Sequence, residues 1–437
     1  MHAIGIRRED RDAWETRTPL LPDDAEWLAT STGTRVYVQP SHLRVFPDDD
    51  YLAHGSRLSE TLNECDVVLA VKEIPAHLLS AGKTYLFFSH TIKGQAHSMP
   101  MLRRLMELRC QLIDYERIRD ASGARLIYFS RFAGLAGTID TLWALGRRLD
   151  AEGLTPNPFA DLTQTYKYSS LDSALAAVER AGELLRRDGL PAAICPFVIG
   201  VAGYGNVSKG AQEVLGALGA RTLTPDELRD AERVSIAARE AFMTVFTERE
   251  MVQRRPPSSD PFSLEEYFRQ PERYAGNFER WLPSLSLLVN CIYWDARYPR
   301  LVTKKAVQRL FGDRAPRLQV IGDISCDIEG AIEITAKETS LDNPVYVYDT
   351  ETEAIHDGVQ GHGPVILAVA NLPCELAREA SQAFSTALRP FLPALVNTDF
   401  NVPFADLALP PELKGAVILH HGELTPEYAY LNKHVNG

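Results

Sequence analysis

The sequence predicts an α/β fold with parallel sheets, divided between two domains, and three observations lead there. Apolar runs alternate with helical stretches in a β-α-β-α-β period from Ala3 to Phe88. Phe197 to Gln212, FVIGVAGYGNVSKGAQ, breaks a strand-like run with Gly203, Gly205 and Gly210 before helix-forming residues resume. At 437 residues and 45% hydrophobic content, the chain can bury a large core and exceeds the usual size of one domain.

Composition narrows the function classes. The net charge is −12, from 46 basic and 58 acidic residues, which disfavours general affinity for nucleic acid or an anionic membrane and leaves small molecules as partners. Cys65, Cys110, Cys195, Cys291, Cys326 and Cys374 are scattered without a C-x-x-C pair or metal-ligand spacing, so reduced core cysteines and no metal are expected. The start, MHAIGIRRED, lacks an apolar signal core, and no run approaches the ~18 apolar residues of a membrane span. A cytoplasmic protein is the expectation.

Taken in order, Ala3 to Ile6 reads as a first strand, followed by the polar loop RREDRDAWETRTPLL. Arg17 lies there beside Pro19 and Pro22, a stiffened setting suited to bidentate capture of a carboxylate, although a solvated surface arginine fits the sequence as well. A helix (Ala25 to Thr30), a strand (Arg35 to Gln39), a helix ending near Asn63 and the strand Val67 to Val71 come next. That strand ends in Lys72-Glu73. After a further helix, Thr84 to Phe88 ends in Ser89-His90-Thr91. Open α/β sheets place ligands at the carboxyl ends of their strands, and lysine and histidine both titrate near neutrality when partly buried. Lys72 and His90 are therefore candidate acid–base groups.

Gln111 to Tyr115 is another strand, and Arg125 to Phe129 an apolar run. Phe132 to Arg148 has helical spacing, with Gly134 and Gly137 allowing close approach of another element, which suits a crossing between domains. A helix from Ser173 to Arg187 leads to the glycine turn. There Gly203, Tyr204, Gly205, Asn206 and Val207 form a candidate dinucleotide site, where helix N–H groups and the helix dipole would hold a pyrophosphate. The G-x-G-x-x-G fingerprint is incomplete, because position 208 is Ser208.

A helix from Gly210 to Leu218 feeds a strand from Ala220 to Leu223, about where the acid that binds the ribose 2′-hydroxyl of NAD is expected. Thr224 stands there instead. With Arg221 adjacent and Arg229 and Arg233 near, a 2′-phosphate is accommodated, so NADP(H) is favoured over NAD(H); Asp226 or Glu227 could equally take the acid's place. Gln253 to Gly276 reads as a long surface excursion. Leu285 to Trp294 and Leu318 to Ile321 return to buried character, the latter ending in GDISCDIEGAIE, where Asp323 and its neighbours suggest polar contacts to substrate or nicotinamide. Strands at Val345 to Tyr348 and Val365 to Ala368 and a helix from Glu375 to Leu392 precede a short polar C-terminus.

The stretches IGIRREDRDAWETRTPL, VLAVKEIP, YLFFSHTIKGQ, LIDYERIRD, FAGLAGTID, GYGNVSKGAQ, IYWDARYPRLVT, GDISCDIEGAIE and NLPCELAREAS run in order from residue 4 to about 395. They resemble the lysine 2-oxoglutarate reductase (lysine-forming saccharopine dehydrogenase) family. The resemblance implies two Rossmann-like domains with an active-site cleft between them. Residues 1–130 and 372–437 would make an alanine dehydrogenase-like substrate domain, and 131–371 the dinucleotide-binding domain. It implies reductive condensation of the L-lysine ε-amine with 2-oxoglutarate, using NADPH, to give saccharopine. Lys72 and His90 match the family's acid–base pair, with His90 assigned to imine formation and Lys72 its partner. Arg17 matches the substrate-carboxylate arginine, and Glu73, Glu116 and Asp323 match acidic positions near the pair. Alternatives are an opine-type reductase for another amine and 2-oxo acid, an amino acid dehydrogenase using ammonia, or a non-catalytic nicotinamide sensor. A homo-oligomer is compatible with any of them.

Overall fold

The computed structural model describes residues 3–230, 238–256, 260–312 and 316–435. Contacts divide the chain into two compact units: residues up to Phe129 together with those from Ala377 onward, and Ser130–Leu376.

In the first unit, β1 (Ala3–Ile6), β2 (Arg35–Val38), β3 (Arg57–Leu58), β4 (Val67–Leu69), β5 (Thr84–Phe87) and β6 (Gln111–Asp114) pair in the order β3-β2-β1-β4-β5-β6, all parallel. β1, β4, β5 and β6 are buried along their whole lengths, as expected of parallel strands covered on both faces. The order reverses between β1 and β4, a switch point of the kind that opens a crevice at the carboxyl ends of the strands. The helix α1 (Pro22–Thr32) starts with proline in its first turn and stops at Gly33, whose φ of 72° suits glycine. The helix expected to end near Asn63 is α2 (Asp48–Ala53), and the chain then turns into β3. The helix α3 (Met99–Glu107) connects β5 to β6.

The second unit opens with two long helices, α4 (Ser130–Ala151) and α5 (Leu171–Asp188). They lead to β7 (Phe197–Ala202), α6 (Asn206–Ala217), β8 (Arg221–Thr222) and β9 (Ala241–Phe246). β10 (Val252–Arg254) and β11 (Tyr274–Gly276) form an antiparallel hairpin. β12 (Leu287–Asn290), β13 (Val320–Asp323), β14 (Val345–Tyr348), β15 (Ile355–Asp357) and β16 (Val365–Leu367) complete a sheet ordered β15-β14-β16-β13-β12-β7-β9-β8. β8, β9, β7, β12, β13 and β16 are parallel in that sheet, whereas β14 and β15 run antiparallel at its edge. The supposed surface excursion contributes to the core: Tyr267 is 6% and Tyr274 1% exposed, packed with Phe278 and Trp281. Aromatic residues pin a segment whose average composition is polar.

The glycines of α4 serve close packing inside this unit. A methyl at Gly134 would lie 1.9 Å from the Val207 carbonyl oxygen, and one at Gly210 would lie 2.1 Å from that of Arg131. The two helix backbones touch where side chains are missing.

The chain then returns to the first unit. β17 (Val417–His420), entirely buried, pairs antiparallel with β6, and β18 (Glu423–Leu424) pairs with β17. The expected short polar C-terminus thus contains a core strand.

Candidate active site

In the first unit, the loops after β1, β4, β5 and β6 emerge side by side, because those strands are neighbours. Backbone pairing continues past β4 and β5, with Phe88 N–H donating to the Val71 carbonyl at 3.1 Å, so Lys72-Glu73 and Ser89-His90 leave the sheet together. His90 Nδ1 lies 2.5 Å from Glu73 Oε1, and Arg11 donates to the other Glu73 oxygen at 2.9 Å. Burial resists ionisation of Glu73. The hydrogen bond and charge of His90, its own backbone N–H and Arg11 outweigh burial and push the carboxyl down to about 2. Glu73 is an anion at neutral pH. His90 has φ 51°, a conformation costly for a non-glycine residue and commonly retained at functional sites.

Two buried acids shape these ends. Glu9, 6% exposed, accepts from the backbone N–H of Val71 at 2.6 Å and of Lys72 at 3.1 Å, bridging the switch point between β1 and β4. Burial, then repulsion from Glu15, pushes its carboxyl up to about 7 against those two N–H groups and Arg7. Asp114 accepts from Ser89 Oγ at 2.5 Å, Ser89 N–H at 3.2 Å and Glu116 N–H at 2.8 Å; burial pushes it up to about 6. Sequence reasoning passed over both, because what they hold is backbone from distant residues.

Arg17 is 3% exposed. It donates to both oxygens of Glu15, Nε at 2.7 Å and Nη2 at 2.6 Å, and its guanidinium stacks 4.1 Å from the Phe129 ring centre. This is a buried, pre-oriented pair and excludes the solvated alternative. Glu116 pairs with Arg125.

In the second unit, Gly203 turns the chain with φ 97° and donates its N–H to the Phe246 carbonyl at 2.9 Å. Gly205 occupies the N-cap of α6 without a side-chain cap, and a methyl there would meet nothing within 4 Å. Open space over uncapped helix N–H groups fits a pyrophosphate. The helix starts at Asn206, four residues before the expected Gly210, and includes Val207 in its first turn. A cavity of about 290 Å³ lies beside the turn, lined by Gly203, Tyr204, Gly205, Glu248, Tyr293 and Trp294 among others. Glu248, Tyr293 and Trp294 escaped sequence reasoning, although IYWDARYPRLVT carries the last two, whereas Tyr204 stands in the turn as expected.

Four expected contacts are placed differently. β9, not β8, is the neighbour of β7. Arg221 therefore lies one strand further out, where it faces Glu240 at 3.8 Å and stacks over Phe242. Thr224 caps its own turn by exchanging hydrogen bonds with Glu227, and Arg229 pairs with Asp226 at 3.2 Å. Arg233 lies outside the described residues. Asp323 is 1% exposed, and its carboxylate accepts from Asn290 Nδ2 at 2.8 Å, Thr335 Oγ1 at 2.6 Å and Cys326 N–H at 3.2 Å. Enclosed by these donors, it organises the end of β13 and offers no surface to substrate; burial pushes it up to about 6.

Two Rossmann-like units, one carrying charged groups at its strand ends and the other a glycine turn over an open helix N-terminus, define the class of protein. The chain belongs to the alanine dehydrogenase/PNT family, whose N-terminal domain matches residues 5–136 and whose C-terminal domain matches residues 192–427. It is 35% identical to the mitochondrial alpha-aminoadipic semialdehyde synthase of Mus musculus over 98% of this chain and 47% of that one, and 36% identical to the Arabidopsis thaliana synthase over 98% and 41%. It spans less than half the length of those two relatives. Saccharopine dehydrogenase [NAD(+), L-lysine-forming] of Emericella nidulans is 25% identical over 89% of this chain and 91% of that one. An L-alanine dehydrogenase structure shares the fold, with TM-score 0.64 at 17% identity and 99% coverage of both chains. Among the described residues, no helix is long and apolar enough to cross a membrane.

Proposed function

We propose that the protein condenses the ε-amine of L-lysine with the ketone of 2-oxoglutarate and reduces the product to saccharopine, using a nicotinamide dinucleotide. The observation that carries this reading is the emergence of Lys72-Glu73 and Ser89-His90 from two paired strands, with His90 and Glu73 in hydrogen-bond contact. The relatives named for saccharopine chemistry supply the substrate class, and the buried thiols of Cys65, Cys110 and Cys291 fit a reducing, cytoplasmic setting.

The chemistry assigns work to each group. The amine nitrogen attacks the ketone carbon and must lose a proton; the carbinolamine hydroxyl must gain one and leave as water, giving an imine. His90 takes and returns these protons, with Glu73 holding its Nδ1 side so that Nε2 faces the reacting atoms. Lys72 is the second proton carrier, its backbone fixed by Glu9. Arg17, oriented by Glu15, engages a substrate carboxylate by exchanging part of that pairing, and Glu116 supports the same surface. The Gly203–Val207 turn holds the dinucleotide pyrophosphate, and the reduced nicotinamide, when bound, supplies the hydride that turns C=N into CH–NH. Catalytic action of these residues is tested by following nicotinamide absorbance with lysine, 2-oxoglutarate and either NADH or NADPH. Oxidation that requires both substrates is expected; oxidation with ammonia and pyruvate instead would reassign the reaction to an amino acid dehydrogenase.

A further inference from the structure

We propose that Glu248 sets the cofactor preference of this protein, and sets it for NAD(H) over NADP(H) by taking the adenosine ribose hydroxyls into the aromatic cavity beside the glycine turn. The inference rests on the dinucleotide reading of that turn.

Sheet order carries the first step. In dinucleotide-binding sheets, the acid that receives the ribose 2′-hydroxyl stands at the carboxyl end of the strand adjoining the one that feeds the glycine turn. Here that strand is β9, paired with β7 over six residues from Phe197↔Ala241 to Ala202↔Phe246. The Gly203 N–H donates to the Phe246 carbonyl, so Glu248 lies two residues beyond the point facing the turn. The usual spacing from turn to acid is lengthened because β8 and the helix Pro225–Asp230 intervene, which makes the acid illegible to a motif search.

The cavity carries the second step. Glu248 and the turn residues Gly203, Tyr204 and Gly205 line one cavity, where burial and then the Glu248 carboxylate raise the Tyr204 phenol above its ordinary value. Tyr293 (68% exposed) and Phe268 (48% exposed) present open ring surface at the same cavity, suited to stacking on a purine. Among its described lining residues, none is Lys or Arg. A 2′-phosphate carries a charge of about −1.5 to −2 and would meet a carboxylate in the lining, while the arginines stacked on the lining rings Tyr298 and Trp294, Arg297 and Arg300, face Asp295 at 2.8 Å and Glu333 at 3.6 Å. The ribose diol would instead donate to the Glu248 carboxylate, a charge-assisted hydrogen bond of the stronger kind.

The test is direct binding of NADH and NADPH to the full-length chain, by calorimetry or nicotinamide fluorescence, for wild type, Glu248→Gln, Glu248→Arg and the exposed neighbour Arg249→Ala. Wild type is expected to bind NADH at least about tenfold more tightly than NADPH, the factor expected of one hydrogen bond to a charged group. Glu248→Gln should shrink that ratio, Glu248→Arg invert it, and Arg249→Ala leave it unchanged. Equal or tighter binding of NADPH by wild type, or a ratio that follows Arg249 and ignores Glu248, overturns the assignment while leaving the dinucleotide site in place. Failure of both cofactors to bind a folded wild-type protein overturns the dinucleotide reading itself, and this inference with it.

Discussion

His90 Nδ1 and Glu73 Oε1 stand 2.5 Å apart, one at the end of β5 and the other just past β4, with Glu73 anionic. A carboxylate on Nδ1 fixes the orientation of the ring and leaves Nε2 as the nitrogen that can exchange a proton with a substrate. Replacing Glu73 by Gln should lower kcat about 10- to 100-fold by releasing the ring from its fixed orientation. His90→Gln and Lys72→Met should each cost about 10²- to 10⁴-fold in kcat while leaving dinucleotide affinity unchanged. Normal turnover by both of the latter variants would remove the site from consideration.

Glu9 gives a pH signature of stability. Its folded-state value, about 7, lies above the unfolded 4.5, so folding takes up a proton in that interval. A group raised in this way contributes stability present below pH 4.5 that is lost as pH rises through 7. The shift corresponds to roughly 3 kcal/mol at most. Wild type should therefore lose more melting temperature than Glu9→Gln between pH 5 and pH 8.5. The variant should also lose activity, since the Val71 and Lys72 N–H groups use different oxygens of Glu9 and one of these becomes an NH2 facing a donor. Parallel pH–Tm curves for the two proteins would contradict the buried-acid account.

Much of this arrangement was legible in the sequence. Apolar runs marked the parallel strands, Gly203 and Gly205 marked the turn, and Lys72 and His90 stood out because each directly follows a strand. Strand-end placement is a local property, written in residue order. What stayed hidden depends on which strands are neighbours. Glu248 gains meaning only once β9 is known to lie between β7 and β8, and Glu9 only once residues 62 and 63 positions further on donate to it. Tyr267, Tyr274 and the strand Val417–His420 were masked by polar text around them, because averaging over a window dilutes a few buried side chains.

Asp323 tests the distinction between a substrate group and an internal post. Asp323→Asn keeps an oxygen for Asn290 and Cys326 N–H but puts an NH2 where Thr335 Oγ1 now donates, so the Thr335 hydroxyl must turn to accept and its own proton loses its buried partner. An unsatisfied buried group costs about 1–3 kcal/mol, so a clear drop in Tm is expected. The KM for either substrate should be unchanged at temperatures where the variant is folded. A raised KM with unaltered Tm would restore Asp323 to the substrate surface.

Two glycines on one helix separate packing from propensity. Gly210 and Gly216 both lie in α6, yet a methyl at Gly210 would sit 2.1 Å from the Arg131 carbonyl oxygen, whereas at Gly216 it would meet nothing within 4 Å. Backbone cannot give way as a side-chain tip can, so Gly210→Ala must push α4 and α6 apart, at a cost of about 1–3 kcal/mol or more. Gly216→Ala adds only a helix-favouring side chain on an exposed face and should stabilise by about 0.5–1 kcal/mol through the unfolded chain's lost freedom. Denaturant unfolding of the two variants should therefore shift in opposite directions. Because α6 also presents the turn, Gly210→Ala should weaken dinucleotide binding, and Gly216→Ala should not. Equal effects of the two substitutions on stability would mean that the contact of α4 with α6 does not constrain position 210.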